Sequence, residues 1–266
     1  MVDRIIKRLY TFFIVLFLYA PILVLIVYSF NDSKYRGSWN GFTLKWYLEL
    51  LRNFEVRQAL EYTLIIAILS AIISTIIGTI AAIGIYGMPV FSKKVVLNLN
   101  YLPVLNPDIV TAVSLMTLFR FLRIELGFTT MLLSHITFCI PYVILSILPK
   151  LKQMNKHLIE AAMDLGATPL YALIKVVIPE IMPGIITGAL IAFTLSIDDF
   201  VISFFNSGPS VTNLSITIFS MARTGINPAI NALSTLMFIS ILALLLIINS
   251  RSSKSINKKR GELYEN

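Results

Sequence analysis

Six apolar stretches recur along the chain, at residues 9–29, 63–86, 99–119, 128–148, 184–205 and 230–248. Each reaches the roughly 20 residues that a helix needs to cross hydrocarbon. They predict an all-α integral membrane fold of six transmembrane helices. The third stretch carries Pro103 and Pro107 and the fourth carries Pro141. Kinks or unwound turns are expected there, tolerable where neighbouring protein or a water-filled cavity satisfies the freed backbone groups. Between the fourth and fifth stretches, residues 160–183 are too polar to cross a bilayer. A membrane chain that keeps such a segment on one face displays it to something outside the membrane.

Composition agrees. Hydrophobic residues make up 57% of the chain and charged residues only 14%, against about a quarter charged in soluble domains; mean hydropathy is +0.82. The single cysteine, Cys139, excludes an internal disulfide and sits in an apolar run beside Ile140 and Pro141, where it reads as a packing residue. Arg4, Lys7 and Arg8 precede the first apolar stretch as they would in a signal peptide. The stretch is longer than a signal peptide's apolar region and no small-residue cleavage site follows it, so a retained helix is expected.

With both termini cytoplasmic, the inside segments hold Arg4, Lys7, Arg8, Lys93, Lys94, Lys150, Lys152, Lys156, Lys175, Arg251, Lys254, Lys258, Lys259 and Arg260, which is 14 of the 22 Lys and Arg. The positive-inside rule then puts the loop at 150–183 and the basic tail at 249–266 in the cytoplasm. The tail reads as a juxtamembrane anchor for anionic headgroups rather than a nucleic-acid arm. Within the loop, Asn155 can cap a first helix whose Leu158, Ala161, Ala162 and Leu165 share a face, and Gly166 stands where a left-handed cap is needed. Thr168 is a suitable N-cap with Pro169 at the first position of a second helix, which Pro179 and Pro183 are expected to break before the fifth span. Ala161, Ala162 and Gly166 allow close approach by another surface, and Glu160 and Asp164 offer it charge.

Glu160-Ala161-Ala162, Gly166 and a branched aliphatic run ending at Pro179 resemble the EAA loop of permease subunits of bacterial ABC importers, with Val176 and Ile178 where that family commonly has Ile and Leu. The resemblance implies that this loop forms coupling helices that dock into a cytoplasmic ATPase, through Glu160, Ala161, Ala162, Asp164 and Gly166. Four further segments resemble permease subunits of spermidine/putrescine importers: Asn106-Pro107-Asp108-Ile109-Val110, Leu126-Gly127-Phe128, Ser134-His135-Ile136-Thr137-Phe138-Cys139, and Phe193-Thr194-Leu195-Ser196-Ile197-Asp198-Asp199-Phe200. The resemblance covers nearly the whole chain, making residues 1–266 a single transmembrane domain. It implies a bacterial inner-membrane location, a second permease subunit, two copies of a cytoplasmic ATPase and an extracytoplasmic polyamine-binding protein.

The acids lead the same way on physical grounds. Of 14 Asp and Glu, three lie within spans: Asp108, Asp198 and Asp199. A carboxylate in hydrocarbon costs several kcal/mol, so such residues face a cavity or a partner. The spans hold no clear Lys or Arg to pair with them, which makes a cationic cargo or a proton the natural partner. Straight-helix rise puts Asp108 roughly 14 Å into its span, near the midplane, and Asp198 roughly 21 Å into its own, nearer the outside. Asp198 and Asp199 would lie about 100° apart on one helix, so one of them, Asp198, is expected to face a pathway. Two roles fit Asp199: a second pathway group, or a helix-packing hydrogen bond.

His135 reads either as a proton relay or as a histidine satisfied by a neighbouring helix, and His157 as a solvated loop residue. Tyr19, Tyr101, Phe119, Phe193 and Phe200 fit a cation route through their ring faces or, more simply, packing and interface anchoring. Gly78 and Gly84, with Ser74, suggest close helix contact in the second span. The chain has no phosphate-binding glycine loop, no paired metal-ligand spacing and no nucleophile-elbow serine. No enzyme activity and no cofactor are expected in this chain, with ATP and magnesium belonging to the partner ATPase. The expected function is that of a permease subunit of an ATP-driven polyamine importer. Two alternatives are an importer for another solute and a proton-coupled secondary transporter titrating Asp108 and Asp198, the latter disfavoured by the docking loop and the lack of an internal repeat.

Overall fold

The computed structural model describes residues 2–33, 38–155, 157–224, 228–240 and 242–243. Their regular structure is helical, with one isolated antiparallel bridge between Asn31 and Phe42. The helices are α1 (Val2–Tyr28), α2 (Lys45–Arg52), α3 (Phe54–Gly87), α4 (Val90–Leu105), α5 (Asp108–Phe121), α6 (Phe128–Gln153), α7 (His157–Asp164), α8 (Pro169–Ala172), α9 (Ile178–Asp198), α10 (Val201–Asn206), α11 (Leu214–Thr224) and α12 (Ala229–Ser240). Four helices are long and apolar enough to cross a membrane, and a fifth span results if the bent pair α4 and α5 is counted as one. The sixth expected span begins with α12; residue 241, residues 244–248 and the basic tail lie outside the described residues.

The chain divides into two compact units, Met1–Arg57 with Ile218–Asn266, and Gln58–Thr217. In the first, the turn after α1 is tied by polar groups. The Trp46 ring N–H donates to the Asn31 carbonyl at 2.8 Å, the Asn31 side-chain amide donates to the Ser38 carbonyl at 2.7 Å, and the Ser29 and Tyr47 hydroxyls lie 2.6 Å apart. Phe30 and Phe42 stack with centroids 5.2 Å apart. The Trp46 and Asn31 bonds satisfy backbone carbonyls that a loop would otherwise leave to water, and the ring stack packs the turn.

The second unit is built around the pairing of α6 with α9. Its core gathers Ala82, Cys139, Val143, Ile147, Ile181 and Ala192, among others. Small residues set the spacing: a Cβ on Gly184 would stand 2.9 Å from the Lys150 Cγ and 3.1 Å from the Ser146 carbonyl oxygen, and one on Gly78 would stand 2.6 Å from the Val143 Cγ1. Such contacts require glycine where helices approach closely. Gly84, by contrast, faces open space, so the expected contact is made by Gly78 and not by Gly84.

Two spans differ from the straight rods that the apolar pattern predicts. The third is broken into α4 and α5, which meet at 104°. Asn106 and Pro107 at the corner are extended, with ψ of 148° and 137°, because a residue before proline is pushed out of the helical region and Pro107 lacks the N–H to continue the ladder. The fifth begins earlier than predicted and ends earlier too. Pro179 and Pro183 do not stop it: α8 runs through a π-helical turn, Leu173–Val177, into α9, making one helix of 30 residues, Pro169–Asp198. The widened turn just before Pro179 takes up the proline where a regular turn would clash with it. α6 likewise continues through Pro141 and Pro149.

Candidate functional site

The turn between α7 and α9 is built by local capping. The Asn155 side-chain oxygen accepts from the His157 backbone N–H at 3.0 Å and so opens α7. At its far end Gly166 has φ of +88°, its N–H donates to the Met163 carbonyl at 2.9 Å, and the Ala167 N–H donates to the Ala162 carbonyl at 3.0 Å. These two bonds form a Schellman motif, which uses a left-handed residue to satisfy the last carbonyls of a helix. Thr168 then caps α8, its hydroxyl oxygen accepting from the Tyr171 N–H at 3.3 Å, with Pro169 at the first position. The two helix ends are therefore held at a defined angle within five residues.

This turn displays its functional candidates. Glu160, Ala161, Asp164 and Gly166 are exposed, and Glu160 pairs with His157 at 2.9 Å in the open. Ala162 lines a recess of 460 Å³ with Leu165, Gly166, Ala167, Thr168, Tyr171 and Val176. The shared apolar face expected of α7 is rotated. Leu158 and Ile159 pack against the core, while Leu165 is 91% exposed, so Leu165 belongs to the displayed surface.

The three carboxylates collect at helix breaks. Asp108 is the first residue of α5, exposed, immediately after the 104° corner. The straight-rise depth for it does not apply to a bent span. Asp198 is the last residue of α9 and exposed. Asp199 does not continue that helix: its backbone is extended, at φ −68° and ψ 126°, which corrects the expectation of two acids about 100° apart on one helix. The Asp199 carboxylate turns inward, with 7% side-chain exposure. Its Oδ1 accepts from the Ile202 N–H at 3.2 Å, and its Oδ2 accepts from the Ser203 N–H at 2.8 Å and the Ser203 hydroxyl at 3.0 Å. A carboxylate at the N-terminus of a helix satisfies its free N–H groups, so Asp199 starts α10 at the point where α9 stops.

His135 is satisfied on both ring nitrogens, by the Ser196 hydroxyl at 2.7 Å and the Ser203 hydroxyl at 2.9 Å. Ser70, Ser196, Ser203 and Asn213, buried around it, were not legible as site residues. Their only sequence signal is that each is a small polar group in or beside an apolar stretch, and such groups are common. Among the described residues no Lys or Arg side chain lies within 4.0 Å of the three carboxylates, and no cluster of three metal-ligating side chains occurs.

Apolar helices broken at carboxylates, with a capped polar turn displayed at the other end of the 30-residue helix Pro169–Asp198, fit a component of a membrane transport system. Residues 74–260 match the family described as binding-protein-dependent transport system inner membrane component, and the chain belongs to that family. It is 40% identical over 251 residues to the spermidine/putrescine transport system permease protein PotC of Escherichia coli (strain K12), covering 94% of each chain. It is 43% identical over 228 residues to the putrescine transport system permease protein PotI of the same organism, covering 83% of this chain and 81% of the relative. Its fold matches a chain of a bacterial alginate ABC transporter, crystallised with an alginate pentasaccharide-bound periplasmic protein, at a TM-score of 0.72 and 16% identity, over 95% of this chain and 94% of that one.

Proposed function

We propose that this chain is the permease subunit of an ATP-driven importer of polyamines, spermidine or putrescine. It would have six transmembrane helices, both termini and the 150–183 loop cytoplasmic, and a second permease subunit to complete the pathway. Of two ATPase copies, one would dock on this turn through Glu160, Ala161, Ala162, Asp164 and Gly166, and the pair would carry the ATP and magnesium. An external binding protein would deliver the cargo. The observation that carries the substrate reading is the set of carboxylates at the two helix breaks, unpaired with any Lys or Arg among the described residues. Asp108 and Asp198 are exposed there and can replace water around ammonium groups. Asp199 holds the break in shape. The relatives named as spermidine/putrescine and putrescine permeases support the same cargo.

In the assembled complex reconstituted in vesicles, polyamine added with its binding protein should drive uptake that stops without ATP and continues in the presence of a proton uncoupler. Uptake abolished by the uncoupler at full ATP would favour a proton-coupled carrier titrating Asp108 and Asp198. Stimulation by neutral solutes but not by polyamines would assign another cargo.

A further inference from the structure

A line of buried hydrogen bonds converges on the break after Asp198. The Ser70 hydroxyl, on α3, donates to the Ser196 Oγ at 2.9 Å. His135, on α6, joins Ser196 at Nδ1 and Ser203 at Nε2, at 2.7 and 2.9 Å. The Ser203 hydroxyl donates to the Asp199 Oδ2 at 3.0 Å, and the Asn213 side-chain amide donates to the Ser203 Oγ at 2.8 Å. Relative exposure is 2% or less at Ser70, His135, Ser196, Ser203 and Asn213.

Counting protons constrains the directions around Ser203. A serine hydroxyl has one proton and two acceptor sites. Ser203 gives its proton to Asp199 and accepts from Asn213, so its remaining site accepts from His135, and Nε2 carries a hydrogen. Ser70 offers its one proton to the Ser196 Oγ at 2.9 Å and to the Ala67 carbonyl at 3.2 Å; where it goes to Ser196, the Ser196 proton goes to Nδ1. With Ser203 donating to Asp199, Nε2 is the ring nitrogen that carries a hydrogen, and the line of bonds reaches from Ser70 to the Asp199 carboxylate. The alternative tautomer would ask Ser203 to give one proton both to Nε2 and to Asp199. The Nε2 to Oδ2 distance, 3.7 Å, is beyond hydrogen-bonding reach, so Ser203 is the link between the ring and the acid.

We propose that His135 is a positioning residue that clamps the two sides of this helix break. One nitrogen holds Ser196, two residues before Asp198, and the other holds Ser203, in the first turn of α10, so the imidazole sets the direction in which Asp198 is presented. The clamp rests on the pathway reading only for what Asp198 faces; the geometry of the clamp does not depend on the cargo.

The test uses the assembled complex carrying Asp198→Cys, with the native Cys139 buried, and reads the rate at which a water-soluble thiol reagent modifies position 198. His135→Phe should change that rate about tenfold, Ser203→Ala should do the same, and the double variant should change it no further, because both act through one line. His135→Gln, whose amide N–H reaches Ser203 from the Nε2 position, should stay within about threefold of the parent. His135→Asn, which reaches only toward Ser196, should behave like His135→Phe. If His135→Phe fails to assemble, Ser203→Ala, which deletes only a hydroxyl, carries the comparison. Rates unchanged in both His135→Phe and Ser203→Ala would overturn the clamp, as would additive effects in the double variant or damage from His135→Gln equal to that from His135→Phe. Polyamine uptake is measured separately in the complex with Asp198 intact. If the wild-type complex imports no polyamine, the cargo reading fails while the thiol-modification rates at position 198 still decide the clamp.

Discussion

Gly166 offers a quantitative test of coupling because its role is set by the backbone alone. Its φ of +88° lies in the left-handed region, and a Cβ added there would meet nothing within 4 Å. Steric collision therefore contributes nothing, and the cost of a side chain is conformational. A residue with a Cβ held in that region costs roughly 1–2 kcal/mol, with alanine at the lower end and a β-branched valine at or above the upper. At about 1.4 kcal/mol per tenfold, Gly166→Ala should reduce the population of the closed turn about fivefold and Gly166→Val about thirtyfold. Asparagine tolerates the left-handed region better than either, so Gly166→Asn should fall between glycine and alanine. The assay is uptake per ATP hydrolysed by reconstituted complex, normalised to assembled protein. The predicted order is Gly, Asn, Ala, Val. Normal coupling in a correctly assembled Gly166→Val complex would refute the assignment of this turn, and equal damage from Asn, Ala and Val would show that the loss is not conformational.

Glu160→Lys reverses an exposed charge on α7 and should weaken co-purification of the ATPase without reducing the amount of chain in the membrane, both read by immunoblot of purified complex. Asp108→Asn and Asp198→Asn keep volume and hydrogen bonding but remove charge, and each should lower polyamine uptake per assembled complex; unchanged uptake in both would end the cation-pathway reading. Asp199→Asn should act differently, because an amide nitrogen cannot accept from the Ile202 and Ser203 N–H groups that the two carboxylate oxygens now satisfy. Leaving one buried donor unpaired costs about 1–3 kcal/mol, so this variant should first show as a lower yield of assembled complex and a lower unfolding temperature.

What the sequence reveals here is mostly local. Asn155, Gly166, Thr168 and Pro169 announce the turn because capping needs only a side chain and the backbone two or three residues away, and the structure uses each of them. The corner at Asn106 and Pro107 is legible for the same reason, although its 104° angle is not. Pro179 misleads because the π-helical turn before it is a cooperative adjustment of the whole helix, not a preference of any one residue. The break at Asp199 is hidden in an unbroken apolar run. It depends on Ser203 close in sequence, on Asn213, 14 residues on and just before α11, which bonds the Asp199 carbonyl, and on His135, 64 residues back on α6, which reaches it through Ser203. Three acids can be picked out by their rarity in apolar spans. Which one faces a pathway and which one caps a helix depends on tertiary structure.

The central claim, that this chain passes polyamine cations under control of a docked ATPase, is tested most directly by ATP hydrolysis in the reconstituted complex with a panel of spermidine, putrescine and neutral solutes, each with binding protein present. At least one polyamine should stimulate hydrolysis and the neutral solutes should not, with the polyamine response reduced by Asp198→Asn. Equal stimulation across the panel, or a polyamine response that survives neutralisation of both Asp108 and Asp198, would contradict it.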